Sequence, residues 1–224
     1  MPQLPKYDCT KIDKNIVISG KIDDPLWEKA AVLLLNDAAT GTKGRFATEA
    51  RLLYNDEYPY VAFSCEDDYI WGTKTNRDSH IFLEECVEIF LNPAQQPHQY
   101  YEVNLSPKNV QFDATIINAR TEKEPGNYFK TMTEFDVEGL VTAVHVDGEL
   151  DVPGGGNGWT AEFAIPFTEL PGAPNIPPQK GDQWRFNLYR IDSPTPGTIE
   201  SYSWSRVLTT NFHKPWRFGF LKFN

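Results

Sequence analysis

The sequence predicts an all-β fold, an antiparallel β-sandwich with one or two short helical turns. Short runs rich in β-branched and aromatic residues recur along the chain and are separated by turn residues. No amphipathic helical pattern is long enough to connect neighbouring parallel strands, which favours antiparallel sheets. Successive runs begin mostly about 10 to 20 residues apart, a spacing similar to that of β-sandwiches.

The length and charge of the chain limit its organisation and its partners. A chain of 224 residues without an internal repeat predicts one domain, residues 1–224, in which residues 1–14 form an N-terminal tail. The formal net charge is -10, so nucleic acid and anionic membranes are expected to be repelled. No stretch reaches the roughly 18 apolar residues of a membrane span. We therefore expect a monomer whose ligand is neutral, cationic or a metal.

The first predicted elements are a helical turn and a hairpin. An acidic residue before Pro25 predicts that a single helical turn begins within residues 23–30, with Trp27 in the core. Residues 51–54 and 58–65 are strand-like runs joined by turn residues, which predicts a hairpin.

The rest of the chain continues this pattern of strands and turns. Further strands are predicted at residues 83–91, 99–105, 110–117, 140–146, 159–165, 183–191 and 218–223. A second helical turn is predicted at residues 166–170, where a proline precedes the turn and a proline and a glycine follow it. Residues 153–158 and 171–181 are predicted loops because of their glycine and proline content.

Side chains alternate between the two faces of a strand, and this alternation locates a candidate binding surface. Val87, Ile89 and Leu91 are predicted to face a core, whereas Glu88 and Phe90 face the opposite side. Aromatic rings mixed with carboxylates and amides suit a sugar, whose C–H faces stack on rings and whose hydroxyls need hydrogen-bond partners. A solvated outer face of an antiparallel sheet gives the same pattern.

A resemblance to a known family adds to this interpretation. Six sequence landmarks occur in a common order, at residues 22–27, 51–62, 87–91, 159–167, 186–188 and 215–219. Together they resemble the family 9 carbohydrate-binding modules and their DOMON-like relatives over nearly the whole chain. The resemblance implies a jelly-roll-like β-sandwich that grips the end of a sugar chain between two aromatic rings and can hold structural calcium.

The resemblance also implies particular site residues. The two clamp aromatics fall on Phe82 and Phe212, where the well-known sugar-binding members have tryptophan. The strand carboxylate of the family falls on Glu88, its neighbouring arginine position on Glu102 and an amide position on Tyr189.

Residues beside these positions complete the predicted site. Arg190 is a substitute donor next to the amide position, and His213 can hydrogen-bond a hydroxyl. Trp71, Trp204 and Trp216 can supply stacking surface, although a buried structural role is as compatible with each of them.

Cysteine and metal-ligand patterns are less specific. Three cysteines match no zinc template and favour reduced thiols, which predicts a cytoplasmic protein if the chain is complete and a periplasmic or extracellular one if a leader was removed. Five acidic residues are candidate calcium ligands, although their spacing matches no defined calcium loop: Asp56, Glu66, Asp67, Asp68 and Asp113. A solvated acidic surface explains the same residues. Haem, bound by some DOMON relatives, is a minor alternative with these candidate ligands: Met132, His80, His98, His145 and His213.

Three functional hypotheses follow. The first is a non-catalytic protein that binds the end of a plant-type or related oligosaccharide or polysaccharide in support of carbohydrate catabolism. The second is a glycoside hydrolase that uses Glu88 and Glu102 as acid and base. The third is a structural or interaction domain with a lapsed sugar site. No motif for a nucleophile elbow, a zinc protease or a phosphate-binding loop is present in the sequence.

Overall fold

The computed structural model describes residues 3–123 and 128–224, and its regular structure is almost entirely β. Thirteen strands occur in these residues: β1 (Lys6–Lys11), β2 (Leu33–Asp37), β3 (Thr48–Tyr54), β4 (Pro59–Glu66), β5 (Cys86–Asn92), β6 (Gln99–Leu105), β7 (Gln111–Asn118), β8 (Phe129–Met132), β9 (Val141–Gly148), β10 (Gly156–Ala164), β11 (Gln183–Asp192), β12 (Glu200–Ser203) and β13 (Gly219–Phe223).

The strands form the two layers of a sandwich. The front sheet has the order β8-β7-β6-β5-β11-β12, with β13 beside the first half of β11, and the back sheet has the order β2-β3-β4-β10-β9. Pairing of β12 with β2 joins the layers, and β1 pairs in parallel with both β13 and β3. All other pairs in the described residues are antiparallel, so the predicted antiparallel β-sandwich is confirmed.

The main core lies between the two sheets. It contains Val87, Ile89 and Leu91 from the front sheet, as the alternation predicts, and it packs them against back-sheet residues such as Val61 and Phe63. Burying these side chains contributes about 25 cal/mol per Å² of apolar surface, which holds the sheets together.

A second apolar cluster covers the outer face of the front sheet. Phe90 and Tyr189 project to this face and pack with Phe212 and Phe218, which lie in the segment after β12. The outer face is therefore partly covered by this segment and is not a simple solvated surface.

Both helical turns that the sequence predicts are confirmed, as 3₁₀ turns at Pro25–Lys29 and Phe167–Glu169. Asp24 caps the first, because its carboxylate accepts a hydrogen bond from the backbone N–H of Leu26 at 2.9 Å. Trp27 is buried, as predicted. Two further turns, Ile81–Leu83 and Pro215–Arg217, were not predicted. Within residues 3–123 and 128–224, no helix has the length and apolar character required to cross a bilayer.

The structure differs from the sequence-based prediction mainly at short strands. Residues 1–14 are not simply a tail, because they contain β1; residues 1 and 2 lie outside the described residues. β2, β8 and β12, each of four or five residues, were missed because so few residues show no clear periodicity. β10 begins at Gly156, inside the predicted loop at residues 153–158.

Candidate functional site

A cleft of about 660 Å³ opens on the outer face of the front sheet, beside the second apolar cluster. Its floor comes from the central strands of the sheet, and its walls come from the Ile81–Leu83 turn, β8 and the segment after β12. The lining residues are His80, Phe82, Glu88, Glu102, Phe112, Thr131, Thr133, Ile191, Ile199, Ser201, Thr210, Asn211, Phe212 and His213. Its size lies within the range usual for small-molecule sites.

Two phenylalanine rings line this cleft from different parts of the chain. Phe82 is half-buried, with its ring centroid 5.3 Å from that of Phe112 in an edge-on contact and 5.0 Å from the ring of His80. Phe212 is 6 % exposed and stacks flat on Tyr189, with ring centroids 4.1 Å apart and an interplanar angle of 10°. The Tyr189 hydroxyl also donates to the backbone carbonyl of Phe212 at 3.1 Å, so Tyr189 holds this ring in place from behind.

Two buried carboxylates form the floor of the cleft. Glu88 on β5 and Glu102 on β6 are 2 % and 4 % exposed. The strand register places Glu88 opposite Asn104 and Glu102 opposite Phe90, so the two carboxylates are diagonal neighbours on one face of the sheet. Two hydrogen bonds support them: the Asn104 amide donates to Glu102 Oε1 at 2.8 Å and the Cys86 thiol donates to Glu88 Oε1 at 3.4 Å.

Burial changes the protonation of this pair. Desolvation and the neighbouring Glu102 charge raise the pKa of Glu88 well above its usual range, although the Cys86 thiol opposes the shift. Desolvation raises the pKa of Glu102 to about 7, against a smaller opposing effect of the Asn104 amide. The Glu88 and Glu102 pair on the floor of the cleft therefore carries an exchangeable proton at neutral pH.

His213 is held at the cleft by a hydrogen-bonded relay. Its Nδ1 lies 2.9 Å from the Tyr100 hydroxyl, and that hydroxyl accepts a hydrogen bond from the Asn118 amide at 3.3 Å. Desolvation, with the positive charge of Arg120, lowers the pKa of His213 to about 4, so the imidazole is neutral. We assign the ring proton of the neutral imidazole to Nε2, which lies 3.9 Å from Glu102 Oε2, so that Nδ1 accepts from the Tyr100 hydroxyl.

The structure brings together five of the ten predicted site residues in the cleft, namely Phe82, Glu88, Glu102, Phe212 and His213. Tyr189 lies directly behind Phe212 and is fully buried, so its contribution is support and not contact with a ligand.

Arg190 lies on the other side of the front sheet. Neighbouring residues of a strand face opposite sides, so Tyr189 and Arg190 cannot both face the cleft. The Arg190 guanidinium is fully buried between the sheets, where it donates to Asp67 at 2.7 Å and to the backbone carbonyl of Glu66 at 2.8 Å.

The tryptophans are also outside the cleft. Trp71 is buried and donates to the backbone carbonyl of Ser193 at 2.7 Å. Trp204 packs on Phe186, with ring centroids 4.6 Å apart, and Trp216 has its ring 5.9 Å from the Lys214 ammonium.

Several lining residues were not found from the sequence. Phe112 alternates with Asp113 in a strand that was predicted, so its outward direction was available from the pattern. The hydroxyls of Thr131 and Ser201 lie on strands that were missed. The position of Asn211 depends on the fold of the segment after β12, for which no local pattern exists.

A buried acidic cluster between the sheets fits a metal ion. Asp67, Glu85 and Asp192 are all buried, and one carboxylate oxygen from each lies within 4.8 Å of the others. Both carboxylate oxygens of Glu85 and of Asp192 have no hydrogen-bond partner among the described residues. Without an ion, desolvation and the charge of Asp67 raise the pKa of Glu85 to about 10. An all-oxygen donor set of this kind suits calcium.

The fold and the site together define a β-sandwich domain with a cleft of small-molecule size on the outer face of one sheet. The chain belongs to the carbohydrate family 9 binding domain-like family, whose model matches residues 18–224.

Solved structures share the fold. A protein from Bacteroides uniformis that was proposed to bind carbohydrate is 15 % identical with a TM-score of 0.77, and the match covers 99 % of this chain and 100 % of that one. A family 9 carbohydrate-binding module from Caldicellulosiruptor kristjanssonii, solved with cellotriose, is 15 % identical with a TM-score of 0.68, covering 98 % of this chain and 94 % of that one. The same module solved with glucose gives a TM-score of 0.67.

The chain is also similar to segments of larger proteins. It is 27 % identical over 189 residues to Internalin I of Listeria monocytogenes, covering 78 % of this chain and 10 % of that protein. It is 28 % identical over 125 residues to endo-1,4-beta-xylanase C of Paenibacillus barcinonensis, covering 55 % of this chain and 11 % of that enzyme. The chain therefore spans about a tenth of the length of these relatives.

Proposed function

We propose that this domain binds carbohydrate in the cleft between Phe82 and Phe212 and catalyses no reaction. The observation that carries the proposal is the cleft itself: two aromatic rings and two buried carboxylates converge on one cleft in a member of a carbohydrate-binding family. Rings supply surface for the C–H face of a pyranose, and the carboxylates with the His213 imidazole supply acceptors and a donor for hydroxyls.

The first ligands to test are β-linked glucose oligomers and their ends, in keeping with the predicted role in polysaccharide use. Support comes from the structurally similar Caldicellulosiruptor module, which was solved with cellotriose and with glucose. Support for a role beside polysaccharide-degrading enzymes comes from the similarity to a segment of a xylanase.

Calorimetric titration with mono- and oligosaccharides tests the proposal. Replacing Phe82 by alanine removes a half-buried ring from the wall of the cleft and is expected to weaken binding by roughly tenfold, because ring stacking contributes about 0.5–1.5 kcal/mol beyond area burial. Phe220→Ala is the matched control, since this ring lies on β13 beside Arg185 and outside the cleft. Equal binding by the wild type and Phe82→Ala would rule out the clamp.

The arrangement of the carboxylates favours binding over hydrolysis. Glycoside hydrolysis uses two carboxyl groups that flank the scissile bond. Glu88 and Glu102 lie side by side on adjacent strands of one sheet and so approach a ligand from the same side. Steady release of reducing sugar that Glu88→Gln abolishes would overturn this conclusion.

A further inference from the structure

The charge of the cleft is unbalanced. Glu88 and Glu102 each use Oε1 in a hydrogen bond, whereas neither Oε2 accepts one from the described part of the chain. The nearest recorded donor is His213 Nε2, at 3.9 Å from Glu102 Oε2. Two carboxylates that are more than nine-tenths buried therefore direct unpaired acceptor atoms at the cleft.

No compensating cation lines this cleft. Among the described residues, neither lysine nor arginine is part of the lining, and His213 is neutral at physiological pH. The titratable groups that face the pair or border it are Cys86 on β5, Tyr100 on β6, Tyr189 on β11, His213 in the segment after β12, and His80 at the Ile81–Leu83 turn. Arg120 acts on His213 from behind, with its guanidinium 4.9 Å from the Phe129 ring.

The walls of the cleft are also favourable for a cation. The faces of aromatic rings attract positive charge, and the half-buried Phe82 is the most exposed of the three rings in the lining, since Phe112 and Phe212 are 1 % and 6 % exposed. The net charge of -10 on the whole chain adds a long-range attraction in the same direction.

We propose that the cleft selects a saccharide that carries a free amino group, such as glucosamine or its β-linked oligomers. The ammonium of this saccharide lies against Glu88 and Glu102. This inference rests on the carbohydrate-binding function proposed above. An ammonium has three donors and no acceptor, which matches the two carboxylates in their ionised form, where every oxygen is an acceptor. Hydrogen bonds between charged partners are roughly twice as strong as neutral ones. A neutral sugar can donate its hydroxyls to the same oxygens, but it leaves the negative charge of the ionised floor without a counter-charge.

Binding of an ammonium should release a proton. In the free protein, burial raises the pKa of Glu102 to about 7 and raises the pKa of Glu88 well above its ordinary value, so the floor is largely protonated at mildly acidic pH. A bound cation favours the ionised carboxylate and lowers these pKa values, so protons leave as the amino sugar enters. A neutral sugar gives no such release.

The test is calorimetric titration at about pH 6 and low ionic strength with glucosamine, N-acetylglucosamine and glucose, repeated in two buffers that differ in ionisation enthalpy. We expect glucosamine to bind at least roughly tenfold more tightly than the other two sugars. Its observed enthalpy should depend on the buffer because protons are released, and its advantage should fall as salt is added.

Variants of the two glutamates test whether the preference for glucosamine arises from the floor of the cleft. Glu102→Gln and Glu88→Gln each keep the shape of the floor and remove one carboxylate, so each should reduce the preference for glucosamine. Glu149→Gln, an exposed residue directly after β9, is the matched control and should keep this preference. Thermal unfolding of each variant establishes that it is folded; if one fails to fold, the other serves.

The outcomes separate this inference from the proposed function. Equal binding of the three sugars without proton release would overturn the amino-sugar preference and leave the carbohydrate function in place. Absence of binding to every saccharide, including the β-glucose oligomers, would overturn both. A glucosamine preference that survives in both glutamine variants would show that the ammonium is recognised elsewhere and would also overturn the inference.

Discussion

Burial of Glu102 in the floor of the cleft makes the stability of the fold depend on pH. Its pKa is about 7 in the folded protein and near the ordinary glutamate value of 4.5 in the unfolded chain, so between these values the folded state binds more protons. The free energy of unfolding should therefore fall as pH rises from about 4.5 to about 7, and the raised pKa values of Glu88 and Glu85 act in the same direction.

Glu102→Gln should remove this part of the pH dependence. At about pH 8, where the wild type carries a buried charge, the variant is expected to be the more stable protein, and the difference should vanish near pH 4. Denaturant unfolding at a series of pH values measures the effect, with Glu149→Gln expected to follow the wild type throughout. A variant less stable than the wild type at the higher pH would contradict the argument.

At the scale of elements, β1 holds the two sheets together although the sequence suggested a tail. It pairs in parallel with β13 of the front sheet and β3 of the back sheet. Tyr7 and Cys9 are buried in the main core, and the Tyr7 hydroxyl donates to the backbone carbonyl of Leu52 at 2.8 Å.

Tyr7→Ala is expected to lower the free energy of unfolding by about 3–5 kcal/mol in chemical unfolding experiments, as large-to-small core substitutions do. Lys6→Ala, an exposed neighbour, should change stability little, and an equally small effect of Tyr7→Ala would show that β1 is dispensable.

The long elements could be predicted from the sequence, whereas the short ones and the assembled site could not. β6 occupies the predicted residues 99–105, and the alternation in β5 assigned Glu88 and Val87 to the correct faces, because one buried face fixes the period of a strand. The same rule applied to β11 excludes Arg190 from the cleft. Phe82 and Phe212 lie 130 positions apart and were assigned from a family resemblance, since the fold of an irregular segment depends on its tertiary contacts.

At the scale of the whole molecule, a buried ionic network links the sheets beneath the cleft. Arg190 of the front sheet reaches the Thr48 hydroxyl of the back sheet at 3.1 Å and Asp67 just after β4 at 2.7 Å. One guanidinium faces three carboxylates here, those of Asp67, Glu85 and Asp192, so the cluster keeps an excess of negative charge. Desolvation raises the pKa of Asp192 to about 6, which reflects this incomplete compensation.

Calcium bound by this cluster should therefore stabilise the entire sandwich. An ion that binds only the folded state raises the free energy of unfolding by about 2.7 kcal/mol at a concentration 100-fold above its dissociation constant. We expect the melting temperature to rise with added calcium and to fall with a chelator, and to respond less to magnesium, which demands a stricter octahedral geometry. Asp192→Asn should abolish the response, whereas Asp56→Asn, an exposed carboxylate paired with Lys11, should keep it. A melting temperature that is the same with calcium and with chelator would show that Arg190 and protonation alone balance the cluster.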